Sequence, residues 1–253
     1  MEENYQFIDI HSHIICGADD GAGSIGEAVK LLELDREEGA RAVFATPHYG
    51  KENGHSPDAA GVMQTFERLK ERAAEEVPEV KLYLGTEWCC AWNLGDRIRR
   101  REAFRMNDTE YVLTEFLEYS GEHDGADKIL TNLKELKRQG FKPILAHPER
   151  YQAMQEDWDL AKRVCDLGVL LQVNAYDLEL NWKIRTKELA QWLATERMIS
   201  FIGSDMHGVY NGKRVPKMKE GVRWLYENTD KEYAEAVCFG NAERLLGVRM
   251  EGK

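Results

Sequence analysis

The chain has no apolar run approaching the roughly 18 residues that cross a bilayer, so membrane insertion is not expected. Cysteine is sparse and irregular. Cys16, Cys89, Cys90, Cys165 and Cys238 are odd in number and form no paired CxxC, which excludes a disulfide framework or a thiolate zinc site. Basic charge is also short, with 34 Lys and Arg against 45 Asp and Glu and a formal net charge of −11. Phosphate backbones need a basic face, so a nucleic-acid partner is disfavoured. Neither GxGxxG nor GxxxxGK[ST] follows the first strand pattern, which weakens a nucleotide-binding reading. No Pro/Ser/Gly-rich linker, repeat or low-complexity tract divides the 253 residues, and one domain over 1–253 is expected. The opening MEENYQFIDIHSH is acidic and enters a strand pattern at once, unlike a signal peptide; the expectation is a cytoplasmic protein with reduced thiols.

What the chain does have is alternation. Short apolar segments at 7–11, 42–46, 82–87, 111–115, 143–146, 169–174 and 199–204 are separated by amphipathic stretches. Ser24 and Glu27 form a capping box for the first helix, which Gly39 stops. Further helices are expected near 58–76, 126–139, 157–166, 186–195, 217–228 and 231–246, with Gly140 and Gly168 as stops. Seven strands alternating with helices predict an α/β fold, a parallel sheet with helices outside. A barrel is favoured over an open sheet.

Metal-type residues cluster where these strands end, the face on which barrel enzymes carry their active sites. The first strand ends in His11-Ser12-His13, whose imidazoles, two residues apart, point to one side. His48, Glu87, Glu115 and His147 follow or close the next four strands. Asp205 and His207 follow the seventh, and Asp19 and Asp20 lie in the Gly-rich loop after the first. Only the sixth strand, ending Gln172-Val173-Asn174, offers no strong ligand. Any one of these is an ordinary loop residue. Together, five of the seven histidines and the carboxylates of Asp20, Glu87, Glu115 and Asp205 would share one rim. Without cations those carboxylates would repel one another. Oxygen and imidazole donors without thiolate suit Mn²⁺, Fe²⁺ or Zn²⁺, and nine donors are too many for one ion.

The segments Ile8-Asp9-Ile10-His11-Ser12-His13, Asp19-Asp20-Gly21, Ala146-His147-Pro148-Glu149-Arg150-Tyr151 and Ser204-Asp205-Met206-His207 resemble the polymerase-and-histidinol-phosphatase (PHP) superfamily. More closely, they are similar to its bacterial manganese-dependent protein-tyrosine phosphatases of capsular and exopolysaccharide biosynthesis. The resemblance runs nearly the whole chain in order. It implies a distorted (β/α)₇ TIM-like barrel, a hydrolase of phosphoric monoesters, and a trinuclear centre, with manganese foremost and iron or zinc as alternatives. It implies that His11, His13, Glu87 and Asp205 hold one ion, and that Glu87 bridges to a second completed by Glu115 and His147. Asp20, His48 and His207 would hold the third. Arg150 and Arg214 match positions that would grip the phosphate. The Trp88-Cys89-Cys90-Ala91-Trp92 segment and the loop after His48 depart from the family pattern, which bears on the substrate rim rather than the metals.

The expected mechanism is in-line displacement by a metal-bridging hydroxide. Arg150 and Arg214 would neutralise phosphoryl oxygens, and Asp205 or His207 would serve the leaving group. The expected substrate is a phosphotyrosine protein, such as a tyrosine kinase of polysaccharide synthesis. The alternatives are a small phosphorylated metabolite such as histidinol phosphate, a polymerase-associated nuclease, or an idle scaffold. Cys238 and Arg244 satisfy a C-x₅-R spacing, but no phosphate-cradling loop surrounds them, so the spacing is read as coincidence. Trp88 and Trp92 are candidates for an aromatic rim; His55 and His123 are read as solvated.

Overall fold

The computed structural model describes residues 5–50, 54–91, 93–116, 125–180, 183–210, 212 and 214–249. Its strands are β1 (Phe7–Ser12), β2 (Ala40–Ala45), β3 (His48–Tyr49), β4 (Lys81–Leu84), β5 (Glu87–Cys89), β6 (Tyr111–Glu115), β7 (Lys142–Ala146), β8 (Leu170–Asn174) and β9 (Ile199–Gly203). All described pairings between them are parallel. Seven expected strands thus become nine, because the second and third are each broken. Pro47 cannot donate to a ladder, and the Gly85-Thr86 step interrupts the other strand at the same level. Before the breaks β2 pairs with β4, and after them β3 pairs with β5. One three-stranded sheet, β1-β2-β4, therefore passes into a six-stranded one, β3-β5-β6-β7-β8-β9.

β9 lies beside β1, with no strand ladder between them among the described residues. The link is made just past the end of β9, where Asp205 N donates to His11 O (2.8 Å) and His13 N donates to Met206 O (2.9 Å). The result is the distorted seven-position barrel that the motifs imply, drawn together at the end where they cluster.

Period-two alternation sorts the strand residues into two layers. Ile8, Ile10, Phe44, Tyr83, Leu113, Ile144 and Phe201 form one cluster with Met106, Ala242, Leu246 and Val248, which fills the inside of the ring. Val43, Leu82, Leu84, Leu145, Leu171 and Ile202 face the helices in the other. The helices are α1 (Ile25–Glu38), α2 (Ala59–Glu76), α3 (Leu94–Arg99), α4 (Ala126–Arg138), α5 (Gln152–Glu156), α6 (Asp159–Asp166), α7 (Ala175–Glu179), α8 (Ile184–Thr195), α9 (Lys219–Asn228), α10 (Lys231–Glu235) and α11 (Asn241–Leu246). A π-helical turn at Ala236–Gly240 separates α10 from α11, which the sequence reads as one helix. Short α3, α5 and α7 are not anticipated. No described helix is long and apolar enough to cross a membrane.

The capping box forms in altered shape: Ser24 Oγ accepts from Glu27 N (3.1 Å), but Glu27 reaches back to Gly23 N and across to Val209 N (both 2.9 Å). All five cysteines are free thiols. Cys238 is wholly buried and burial pushes its thiol pKa upward, so the C-x₅-R spacing has no exposed nucleophile. Trp88 is wholly buried too, donating from Nε1 to Phe104 O (2.9 Å) and packing edge-on to Tyr49. It forms no aromatic rim. Trp92 and His123 lie outside the described residues.

One buried group works against the fold. Asp35 of α1 is inaccessible, and among the described residues neither carboxylate oxygen receives a hydrogen bond. Burial first, then the neighbouring Asp9 carboxyl, hold its pKa well above the usual range, so the folded state retains a proton that the unfolded state releases. Stability therefore falls as pH rises above about 4 toward that raised pKa. Asp35→Asn places an N–H donor toward Asp9 without a charge. Urea unfolding is expected to show the variant about 1–3 kcal/mol more stable at pH 8, with a smaller gain at pH 5. A less stable variant at pH 8 would show that the carboxylate is paired.

Candidate metal centre

The inward alternation of the barrel continues upward into polar residues. Above Tyr111 and Leu113 stands Glu115; above Leu170 stand Gln172 and Asn174. β1 reaches the same level through a bulge, three steps from Asp9 to Ser12 opposing two from Val43 to Ala45. A bulge re-aims side chains: Asp9 meets Asp35 of α1, while His11 and His13 enter the mouth. Gly203 makes room there, since a Cβ on it would lie 2.6 Å from His11 Cβ and 2.9 Å from Gln172 Nε2. Gly21 does the same against the backbone carbonyl of His13.

All nine residues expected as ligands converge, with donor atoms in four overlapping groups, each within 4.8 Å: His13/Asp20/His48/His207, His11/Glu87/His147, His11/His13/Asp205 and His48/Glu87/Glu115. Glu87 is central. Its Oε2 lies 3.1 Å from His11 Nε2, 3.3 Å from His13 Nε2 and 3.0 Å from His48 Nδ1, while Oε1 lies 2.8 Å from His147 Nε2. The grouping differs in part from the one the resemblance implies. Glu115 sits with His48, at 3.0 Å, rather than with His147, and His13 also belongs to the Asp20 group.

A second layer fixes these side chains. His11 Nδ1–H donates to Gln172 Oε1 (2.8 Å), and His13 Nδ1–H to Asp19 Oδ2 (2.7 Å). Asp19 also accepts from His48 N and Gly21 N. Asn174 Nδ2 donates to Asp205 Oδ2 (3.0 Å), and Gln172 Nε2 to Asn174 Oδ1 (2.8 Å). The sixth strand, which contributes no candidate ligand, thus orients two of them. Sequence reasoning missed this role; the available signal was two amides at inward positions of a strand ending at the rim. It also misplaced His55, whose ring stacks 5.6 Å from that of His48 and whose Nε2 lies 4.0 Å from Asp20.

With Nδ1 of both His11 and His13 donating outward, their Nε2 atoms face each other at 3.2 Å. Two lone pairs at that distance need a proton or a cation between them. Glu87 Oε2 is buried among three ring nitrogens and forms no hydrogen bond. This donor set fits a divalent cation better than a network of hydrogen bonds. Without metal, protons and guanidinium groups carry the balancing charge. Burial disfavours charged His13, but Asp19 outweighs it and raises the pKa well above the ordinary value. Burial and His13 likewise oppose charge on His48, yet Glu87 and Glu115 raise it to about 10. Burial, then His13, lower His207 to about 3. Glu87 and Asp205 stay ionised despite burial, the first through His11 and His48, the second through Arg214 and His11.

Arg150 is mostly buried, donating from Nε to Asp177 (2.7 Å) and from Nη1 to Asp205 (2.9 Å). Among the described residues nothing engages its Nη2. Arg214 is half-exposed and donates from Nε to Asp205 O (2.9 Å), with Nη2 3.0 Å from Asp205 Oδ2. Glu149, beside Arg150, is a buried strut whose Oε1 accepts from Asn174 N (2.9 Å). Burial and then Asp177 keep its pKa well above the usual range.

A sequence profile of the family "Capsular polysaccharide synthesis, CpsB/CapC" matches residues 7–247. The chain belongs to the CpsB/CapC family. It is 26% identical over 245 residues to "Tyrosine-protein phosphatase CpsB" of Streptococcus agalactiae, covering 94% of this chain and 98% of that protein. A solved structure from the work on YwqE of Bacillus subtilis and CpsB of Streptococcus pneumoniae, described as unique metal-dependent tyrosine phosphatases, superposes with a TM-score of 0.84. That match is at 25% identity and covers 96% of this chain and 95% of that one. The histidinol phosphate phosphatase of Lactococcus lactis shares the fold, with TM-score 0.58 at 13% identity over 88% of this chain and 93% of that one. The motif resemblance and the barrel it implies are therefore borne out for this CpsB/CapC member.

Two measurements test the geometry. Loading the metal-free protein with Mn²⁺ should release protons, because His13 and His48 are protonated at pH 7. Uptake should then tighten by about tenfold per pH unit for each proton displaced. Calorimetry in buffers of different ionisation enthalpy counts those protons, and a count of zero at pH 7 contradicts this arrangement. Gln172→Ala should weaken metal affinity about 10–100-fold with the fold intact by circular dichroism; unchanged affinity would remove its orienting role.

Proposed function

We propose that this CpsB/CapC chain is a metal-dependent phosphomonoesterase, one domain over 1–253, that removes phosphate from tyrosine in a cytoplasmic phosphoprotein. A tyrosine kinase of polysaccharide synthesis is the proposed substrate. The observation that carries the chemistry is the convergence of nine imidazole and carboxylate donors around Glu87. The tyrosine preference rests on the relatives' named activities.

Three divalent cations, manganese first among them, are proposed for the centre. His11, His13, Asp20, His48, Glu87, Glu115, His147, Asp205 and His207 would hold them, with Glu87 shared. When bound they supply a water acidified enough to act as nucleophile near neutral pH, and positive charge against which a phosphate dianion can rest. The chain's residues do the rest. Asp205 divides its oxygens between the cluster and Arg150, so the guanidinium is fixed beside the metal positions with Nη2 left for a phosphoryl oxygen. Arg214, held on Asp205 O, reaches from the solvent side and closes on a second oxygen. Such fixed donors stabilise charge that grows in the transition state. His207 donates from Nδ1 to Asp205 O (2.8 Å), which aims Nε2 at the cluster. A tyrosyl leaving group has a pKa near 10 and needs little proton assistance, so Asp205 and His207 act mainly as candidate ligands.

A phosphate-release panel with Mn²⁺, Mg²⁺, Zn²⁺ and EDTA tests the reading. Phosphotyrosine peptide should be hydrolysed with Mn²⁺ and not with EDTA, and iodoacetamide should leave the rate unchanged. Strong preference for histidinol phosphate would defeat the tyrosine assignment. Arg150→Ala should lower kcat about 10²-fold or more with metal content unchanged by elemental analysis; undiminished turnover would remove Arg150 from the site.

A further inference from the structure

A cavity of about 580 Å³, lined by none of the metal-centre residues, opens on the outer wall of the barrel between α2, β4 and the segment that follows α3. Its position follows from the broken strands. Among the described residues, below the break β4 pairs only with β2 and β6 has no partner on the β4 side, so the segment around Met106 fills the gap and leaves a hollow. Phe66, Leu84, Phe104 and Phe141 give the hollow an apolar floor. Lys70, Arg99, Arg101 and Arg105 stand on its rim, with Asp108 as the acidic residue of the lining. Four cationic side chains around one hollow are unexpected on a protein of net charge −11.

The rim charges differ in their commitments. Arg99 donates to Asp96 and Gln139, and Arg105 pairs with Asp108. Lys70 and Arg101 are exposed and have no ion-pair partner among the described residues. Unpaired cations beside a desolvated aromatic floor complement an occupant that carries negative charge and apolar side chains together. The floor is recessed: of its neighbours only Met63 is an exposed large apolar residue, at 39%. A recessed floor accepts inserted side chains, whereas a membrane contact needs apolar groups that protrude. The overall negative charge would also repel an anionic bilayer.

We propose that this groove docks an acidic peptide segment of a protein partner, its phenylalanine or leucine side chains in the hollow and its carboxylates on Lys70 and Arg101. The site lies apart from the metal centre and does not depend on what that centre hydrolyses.

The test uses the metal-loaded full chain and a fluorescein-labelled synthetic peptide of glutamate and aspartate interrupted by two phenylalanines, read by fluorescence anisotropy. Binding is expected to weaken with salt, and the same peptide with lysine in place of the acids should not bind. The double variant Lys70→Glu/Arg101→Glu should lose about tenfold or more in affinity, and Met63→Asp should weaken binding independently, both with unchanged thermal midpoints and unchanged turnover of free phosphotyrosine. Equal binding by parent and both variants would overturn the proposal. So would binding to phosphatidylglycerol vesicles that the double variant abolishes, in the absence of peptide binding.

Discussion

Glu87 is the constraint around which the site is organised. Its carboxylate is wholly buried, yet it faces His11, His13, His48 and His147 at 2.8–3.3 Å without a full set of hydrogen bonds. Isolated burial of such a charge costs several kcal/mol, and proximity to neutral imidazoles does not offset it. Something positive must sit among these atoms. In the metal-free molecule protons on His13 and His48 do so, and Arg150 and Arg214 do the same for Asp205. Divalent cations would perform that duty with more charge in less volume, and would leave the imidazoles free as candidate ligands.

That exchange works only if the donors stay in place when their charge partners change, and the barrel wall secures this. Gln172 and Asp19 take the outward Nδ1–H of His11 and His13, so the inward nitrogens keep their aim whatever lies between them. Asn174 holds Asp205 at Oδ2, the oxygen that both arginines also reach. These partners stand on strand ends or bind backbone amides, whose positions the sheet sets, and not on free loops.

How much of this is visible in the chain follows from distance along it. Four of the nine candidate ligands announce themselves because they come in pairs two residues apart, His11/His13 and Asp205/His207, directly after apolar strands. The helices outside follow from the strand-helix alternation, and the convergence on one rim follows from those positions. The orienting layer is less legible: an inward glutamine on a strand looks like any polar residue until the strand opposite is known. Trp88 illustrates a different failure. It follows Glu87 directly, and a continuous third strand would leave its direction open, but Gly85-Thr86 restarts the strand as β5 and turns Trp88 into the layer between strands and helices. His55 fails for a third reason. The backbone pairing of Gly50 with His55 goes with the contact of its ring with that of His48, and nothing in the local composition encodes that pairing.

The backbone itself carries a record of the same demand. His147 and Asp205 both sit at strand ends with left-handed backbone, φ 34° and 53°. Non-glycine residues adopt this region at a cost of order 1–3 kcal/mol each, and His147 does so immediately before Pro148, where the preceding residue is held to extended geometry. Each is the point at which a strand stops running along the wall and its side chain must turn into the mouth. A relaxed, extended residue would carry the imidazole or carboxylate onward and away from Glu87. The strain is sustained by the bonds that flank it: Arg150 N to His147 O (3.0 Å) on one side, and Asp205 N to His11 O (2.8 Å) on the other. The second of these is one of the two backbone hydrogen bonds that join the end of β9 to β1, so a bond that draws the barrel together also holds a site carboxylate in its turned position. Closure of the barrel and the placing of Asp205 share that bond.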